Sequence, residues 1–231
     1  MGNQTNQTLS KKQVLAVGVI GLGLSFSFMS STTAQAAIVN GDFSAGFTGW
    51  ETSGSTDAFT GAAVLTAGAT DTASIESFLG LAPGTLAGIG TSPTFGSAIK
   101  QSFFANAGTV ISFDWLFKAE DYLPYDDFAF YSLVPSGVAT LLSNVATVGN
   151  YGSSGLQSLS FVIPSTGAYT LGFGVLNSTD NGLFSTLTID NVVGDVTPVP
   201  TPVLLPGLLG MGVAAWRKRK AEAQAEVSEE V

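Results

Sequence analysis

Thr109-Val110-Ile111-Ser112-Phe113-Asp114-Trp115-Leu116-Phe117-Lys118 is the stretch that decides the fold of this chain. Ile111, Phe113, Trp115 and Phe117 fall on one face, and Ser112, Asp114 and Lys118 on the other. A period of two is the mark of a β-strand with one buried face, because successive side chains point to opposite sides of the sheet. The same alternation recurs in Gln157–Ile163 (Leu159, Phe161, Ile163), Tyr169–Leu176 (Tyr169, Leu171, Phe173, Val175) and Ser185–Val193 (Leu187, Ile189, Val193). Ala58–Leu65, Ile99–Phe104, Asp127–Val134 and Ala139–Leu142 read as further strands.

Turn signals separate these runs: Ser53-Gly54, Pro83-Gly84, Asn106-Ala107-Gly108, Pro135-Ser136-Gly137, Gly149-Asn150-Tyr151-Gly152 and Asn181-Gly182. No stretch of the body carries a helical period. About eight strands with such turns predict an all-β protein, a single antiparallel β-sandwich of jelly-roll type. The phenylalanines would fill the space between its sheets. Leu81–Ser97, rich in Gly, Ser and Thr, reads as a long loop and a place to look for function.

Both ends of the chain read as addresses. Residues 1–13 are polar and carry Lys11 and Lys12, Val14–Met29 is apolar with small residues, and Ala34-Gln35-Ala36 supplies small residues for a signal peptidase. This is the order of a secretory signal peptide spanning residues 1–36, with a retained membrane helix as the alternative. An apolar run of 16 residues is short against the roughly 20 needed to span a bilayer. At the other end, Pro198-Val199-Pro200-Thr201-Pro202 precedes the apolar run Val203–Trp216 and the basic cluster Arg217-Lys218-Arg219-Lys220. A helix of that run would cover roughly 21 Å, short of a hydrocarbon core of about 30 Å. Its basic end would stay cytoplasmic, placing the rest of the chain outside. The domain reading is therefore a signal helix over 1–36, a sandwich over 37–197, and a sorting segment with a short hydrophobic helix over 198–231.

Residues 200–220 resemble a PEP-CTERM-type sorting domain, and more narrowly its Pro-Thr-Pro-Ala variant. The usual Pro-Glu-Pro is absent, and Val203 stands where the variant has Ala. The resemblance implies export, recognition of Pro198, Pro200, Thr201, Pro202 and Arg217, Lys218, Arg219 and Lys220 by an exosortase-like membrane peptidase, and delivery to a bacterial surface or extracellular matrix.

Composition narrows the chemistry of the body. Between residue 37 and the prolines there are two basic residues, Lys100 and Lys118, against thirteen acidic ones, a net of −11. Such a field repels nucleic acid, which is bound by basic groups that displace phosphate counterions. It attracts divalent cations with oxygen ligands. The chain contains neither cysteine nor histidine. Disulfides, thiol nucleophiles, Ser-His-Asp catalysis and His-ligated zinc are excluded.

Asn40-Gly41-Asp42-Phe43-Ser44 with Gly49-Trp50 opens the body, and Leu187-Thr188-Ile189-Asp190-Asn191-Val192 closes it. This pair looks like the first and last strands of galactose-binding-like jelly rolls, which include many carbohydrate-binding modules. The resemblance implies a structural calcium joining the terminal strands through Asp42 and Asp190. The plainer alternative is that Asp42 caps a turn and Asp190 is solvated. The most chemically dense segment is Phe117–Phe128, where Glu120, Asp121, Asp126 and Asp127 flank Tyr122, Leu123, Pro124 and Tyr125. It reads either as a cation or sugar site, with Tyr122 and Tyr125 as stacking platforms and Asp126 and Asp127 as acceptors, or as a solvated turn around Pro124. Its spacing does not match an EF-hand. Trp115 reads as core; Trp50 reads as core or a strand-edge plug, with a ligand platform as the alternative. The functional expectation is an exported, non-enzymatic surface or matrix protein. The alternatives are a calcium-stabilised carbohydrate-binding module and, behind it, a glycan hydrolase using a carboxylate pair. Extracellular polysaccharide is the partner that all three share.

Overall fold

A computed structural model describes residues 38–58 and 61–196. The signal segment 1–36, the sorting segment 198–231 and the two helices expected there lie outside the described residues. The described chain forms two antiparallel sheets facing each other. In chain order the elements are β1 (Glu51–Ser53), β2 (Ser55–Asp57), β3 (Ala63–Thr66), β4 (Thr70–Asp71), α1 (Thr72–Leu79), a 3-10 turn (Leu86–Gly88), β5 (Pro93–Ala105), β6 (Thr109–Lys118), β7 (Phe128–Val134), β8 (Val138–Asn144), α2 (Val145–Val148), β9 (Gln157–Val162), β10 (Gly167–Ser178) and β11 (Thr186–Val196). One sheet runs β1-β5-β10-β7-β8, with β4 also on β5; the other runs β2-β3-β11-β6-β9. The expected all-β sandwich is the architecture.

The inter-sheet core is built from the alternation read in the sequence. Ile111, Phe113, Trp115 and Phe117 of β6 meet Leu171, Phe173 and Val175 of β10, with Leu187 and Ile189 of β11 beside them. Phe113 and Phe173 pack edge to face, 4.8 Å between centroids, a geometry that adds to area burial. Trp50 is buried in this core beside Phe43 and Phe173, and its indole N–H donates to the carbonyls of Val39 and Asn40. This is the core reading of Trp50, not the ligand platform.

The absence of helix from the body is corrected by α1. Asp71 caps it, accepting the Ser74 N–H at 3.0 Å, and Gly80 closes it in the left-handed region at φ 74°; both are standard helix-end chemistry. α1 covers the outer face of the first sheet, giving a second core of Ile75, Leu79, Phe128, Phe130 and Leu176. β10 is consequently buried on both faces along most of its length. Gly172 and Gly174 permit this approach. A Cβ on Gly172 would lie 2.6 Å from Leu79 Cδ2, and one on Gly174 2.5 Å from Phe130 Cζ.

The long loop expected over Leu81–Ser97 is also corrected. It contains the 3-10 turn, and β5 begins at Pro93. Buried Glu76 of α1 fastens it, with one carboxylate oxygen accepting the Gly84 N–H and the other the Leu86 N–H, both at 2.8 Å. Among the described residues no helix is long and apolar enough to cross a membrane.

Candidate functional site

The segment between β6 and β7 does not stand alone. The α2–β9 segment, residues 149–156, is stitched to it by main-chain bonds. Ala119 N–H donates to Gly152 O and Tyr151 N–H to Asp121 O, each at 2.9 Å. Leu123 N–H donates to Asn150 Oδ1 at 3.0 Å, and Ser154 Oγ accepts the Phe117 N–H at 2.9 Å. Tyr151 adopts φ 55°, a conformation uncommon for a side-chain-bearing residue and costly enough to need surrounding support. The result is a cluster of three tyrosines. Tyr122 packs edge-on against Tyr125 at 5.5 Å and tilted against Tyr151 at 5.9 Å. Tyr122 is 38 % exposed and Tyr151 57 %, with exposed Leu123 beside them.

Next to this cluster a cleft of about 410 Å³ opens between the edge strands β8 and β9. Trp115, Leu142 and Val148 form its apolar part; Ser143, Thr147, Ser153, Ser154 and Gln157 supply hydroxyl and amide groups. Segment 149–156 serves both features, since Ser153 and Ser154 line the cleft while Tyr151 joins the tyrosines. None of the lining residues is acidic.

The four expected ligand residues divide. Tyr122 and Tyr125 share the surface cluster. Asp126 is half-buried and committed to α2: its oxygens accept the Asn144 amide at 2.9 Å and the Ala146 N–H at 2.8 Å. Asp127 is fully buried, accepting the Ser178 N–H at 3.0 Å and the Ser185 hydroxyl at 2.7 Å. Burial pushes its carboxyl up to about 6 against the pull of these bonds, and the neighbouring Asp121 charge adds to the rise. Asp121 is fully buried too; burial raises its carboxyl, and the charge of Asp180 raises it further. Tyr151 is the member of the tyrosine cluster that sequence reasoning missed. Its signal was a glycine-flanked Asn-Tyr, which reads only as a turn.

The expected metal pair is placed as follows. Gly41 O accepts the Val192 N–H at 2.9 Å, so the opening and closing segments do meet. Asp42 is exposed and accepts the Ser44 N–H and hydroxyl at 3.2 and 3.0 Å; these bonds lower its carboxyl. Asp190 accepts the N–H of Asn191 at 2.6 Å and stands opposite Asp114 in the β11–β6 register. Asp114 is itself held low by Ser158 and Asn191. Among the described residues no three acidic side chains form a metal-binding group. The proline and basic residues of the sorting motif lie outside the described residues.

No protein-family model matches the chain, and no curated relative does. Several solved structures are similar to it. The module TmCBM61 in complex with β-1,4-galactotriose is 15 % identical, with 71 % of this chain and 99 % of that chain covered and a TM-score of 0.38. The K3 cleaved adhesin domain of Lys-gingipain from Porphyromonas gingivalis is 12 % identical, covering 69 % and 98 %, at 0.39. TmCBM27, a carbohydrate-binding module with specific mannan recognition, is 15 % identical, covering 68 % and 94 %, at 0.36. Likeness of this degree assigns neither ligand nor site.

Proposed function

We propose that the sandwich is a carbohydrate-binding module that holds a neutral polysaccharide outside the cell, without cleaving it. The observation that carries the reading is the cluster of exposed Tyr122 and Tyr151 with half-buried Tyr125, which shares segment 149–156 with the cleft over Trp115. Aromatic faces pack against the C–H side of a sugar ring, while hydroxyl and amide groups exchange hydrogen bonds with sugar hydroxyls. The cleft supplies the second set, with Ser153 two residues along the chain from Tyr151. Binding is favoured over hydrolysis because the general acid and base of a glycosidase have no carboxylate in the cleft wall, and Asp121, Asp126 and Asp127 of the adjoining segment are buried or engaged. A net charge of −11 on the body favours uncharged glycans over uronic-acid or sulfated ones. Export to the surface or matrix rests on the two terminal signals, with signal peptidase and an exosortase-like peptidase as processing partners. Calcium bridging Asp42 and Asp190 belongs to the same reading.

Affinity electrophoresis in gels carrying neutral or anionic polysaccharides tests it. Retardation in at least one neutral gel and none in the anionic gels is expected. Tyr151→Ala and Tyr122→Ala should each weaken it roughly tenfold, the equivalent of about 1.4 kcal/mol. Equal retardation of both variants and the wild type removes the tyrosines from the site. The intact mass of the protein from its own host reports whether both ends are cut.

A further inference from the structure

At one end of the inter-sheet core the inward-facing positions turn polar. β6 points Ile111, Phe113, Trp115 and Phe117 inward, and the same parity continues through Ala119 to Asp121. On β7 the parity of Tyr131 and Ala129 leads back to Asp127. On β10 that of Phe173 and Val175 leads to Asn177, and on β11 that of Ile189 and Leu187 leads back to Ser185. The β10–β7 register ends at Leu176 and Phe128, and just beyond it the Ser178 N–H next to Asn177 donates to Asp127 Oδ1 at 3.0 Å. All four side chains are 0 % exposed.

Their hydrogen bonds are incomplete in a particular way. Ser185 donates to Asp127 Oδ2 at 2.7 Å and accepts the Glu120 N–H at 3.2 Å. Asp121 Oδ1 accepts the Tyr122 N–H at 2.7 Å. Asp121 Oδ2 and Asn177 Oδ1 are buried with no hydrogen-bond partner at all. The Asn177 amide nitrogen is already committed to Gly182 O at 3.1 Å. Among the described residues the basic side chains are Lys100 and Lys118. Lys100 bonds the Phe78 carbonyl and pairs with Glu51, and Lys118 pairs with Glu120. Buried acceptors without a donor or a counter-charge carry the full desolvation penalty. The deficit here consists wholly of oxygen acceptors, and what an all-oxygen set completes is a hard cation.

We propose that this end of the core, between β6, β7, β10 and β11, is a site for a hard divalent cation, calcium first, held by Asp121, Asp127, Asn177 and Ser185. Main-chain carbonyls and water complete the six to eight oxygens calcium takes, at about 2.3–2.6 Å. Two carboxylates neutralise its charge and two neutral oxygens fill the set, so no third acid is required. The site is distinct from the Asp42–Asp190 pair: Ser185 and Asp190 are five residues apart along the chain into β11, roughly 17 Å in extended backbone. A cation here would also fasten the base of the segment that carries Tyr122 and Tyr125. The competing occupant is a proton on Asp121, donated to Asn177 Oδ1.

Calcium titration calorimetry and thermal unfolding of the chelator-stripped full chain at neutral pH decide between them. The wild type should take up calcium and unfold roughly 5–10 °C higher in 1 mM calcium if the dissociation constant is near 10 µM. Because the Asp42–Asp190 pair is also read as a calcium site, the test is made in its absence. The Asp42→Asn, Asp190→Asn double variant should keep uptake and stabilisation, and adding Asp121→Asn to it should lose both. Asn177→Asp on the same double variant should bind calcium more tightly, and it decides the matter if the protein with Asp121→Asn added does not fold. A wild type that neither binds calcium nor gains stability from it overturns the proposal. So does binding left unchanged when Asp121→Asn or Asn177→Asp is added to the double variant, or binding already lost in the double variant. No glycan enters this test, so it stands or falls apart from the sugar-binding reading.

Discussion

Replacing Glu76 by glutamine should be far more damaging than its isosteric character suggests. The carboxylate sits 4 % exposed on α1, and each of its oxygens accepts one main-chain N–H at 2.8 Å, from Gly84 and from Leu86. Glutamine keeps the shape but has only one acceptor oxygen. Whichever way it turns, its NH2 group faces one of the two N–H donors. One charge-assisted bond, of about 1.5–3 kcal/mol, is lost outright, and the survivor becomes a neutral bond of lower strength. The expected loss is about 2–4 kcal/mol. For a domain of this size that is a fall of roughly 5–12 °C in unfolding temperature. Urea unfolding measures it, with the denaturant slope checked for constancy so that the change is one of stability alone. Native-state hydrogen exchange should show the Gly84 and Leu86 amides losing protection ahead of the sheet amides. A loss below about 0.5 kcal/mol, with both amides still protected, would refute the idea that this carboxylate fastens the 81–92 segment.

Gly174→Ala should destabilise by about 1–3 kcal/mol, because its Cβ would meet Phe130 Cζ at 2.5 Å in a core that α1 closes; denaturant unfolding reads the change. The Asp71 carboxyl is held below its ordinary value of 3.8 by the Ser74 hydroxyl and N–H. The folded value lies below the unfolded one, so its contribution to stability is present above about pH 4 and is lost as the pH falls through the folded value. Asp71→Asn keeps the cap and should flatten that part of the acid profile between pH 5 and 3, whereas Asp71→Ala should lower stability at both ends. Phe173→Ala should cost about 3–5 kcal/mol, since the ring packs against Phe113 and Trp50 across the two sheets.

Period-two alternation over β6, β9 and β11 was enough to name a two-sheet sandwich, because each turns one face to the core. That face is buried in β6, half-buried through Leu159 and Phe161 in β9, and buried through Leu187 and Ile189 in β11, until the register shift after Asp190 buries Val192 and leaves the expected Val193 exposed. β10 misled for a physical reason. Gly172 and Gly174 read as the polar half of an alternation, but they are the points where Leu79 and Phe130 come closest, and both faces of the strand are covered. α1 has eight residues, too few for a clear helical period, although Asp71 and Gly80 marked its ends in the sequence. In the candidate site, Tyr122 and Tyr125 were legible as aromatics in a turn. Tyr151 was not, since only the bonds of Asp121, Leu123 and Ala119 to segment 150–152 bring it alongside. Asp126 and Asp127 looked equivalent in sequence. Strand parity separates them, sending Asp127 into the core and leaving Asp126 to hold the start of α2.

The measurement that bears most directly on the sugar-binding account is chemical-shift mapping of the isotope-labelled protein during titration with a neutral oligosaccharide that retards it. Shift changes should concentrate in residues 120–126 and 142–157, with the Trp115 indole among them. A titration that moves the outer strand face around Ser112, Asp114 and Thr188 instead, or moves no resonance at millimolar ligand, would contradict it.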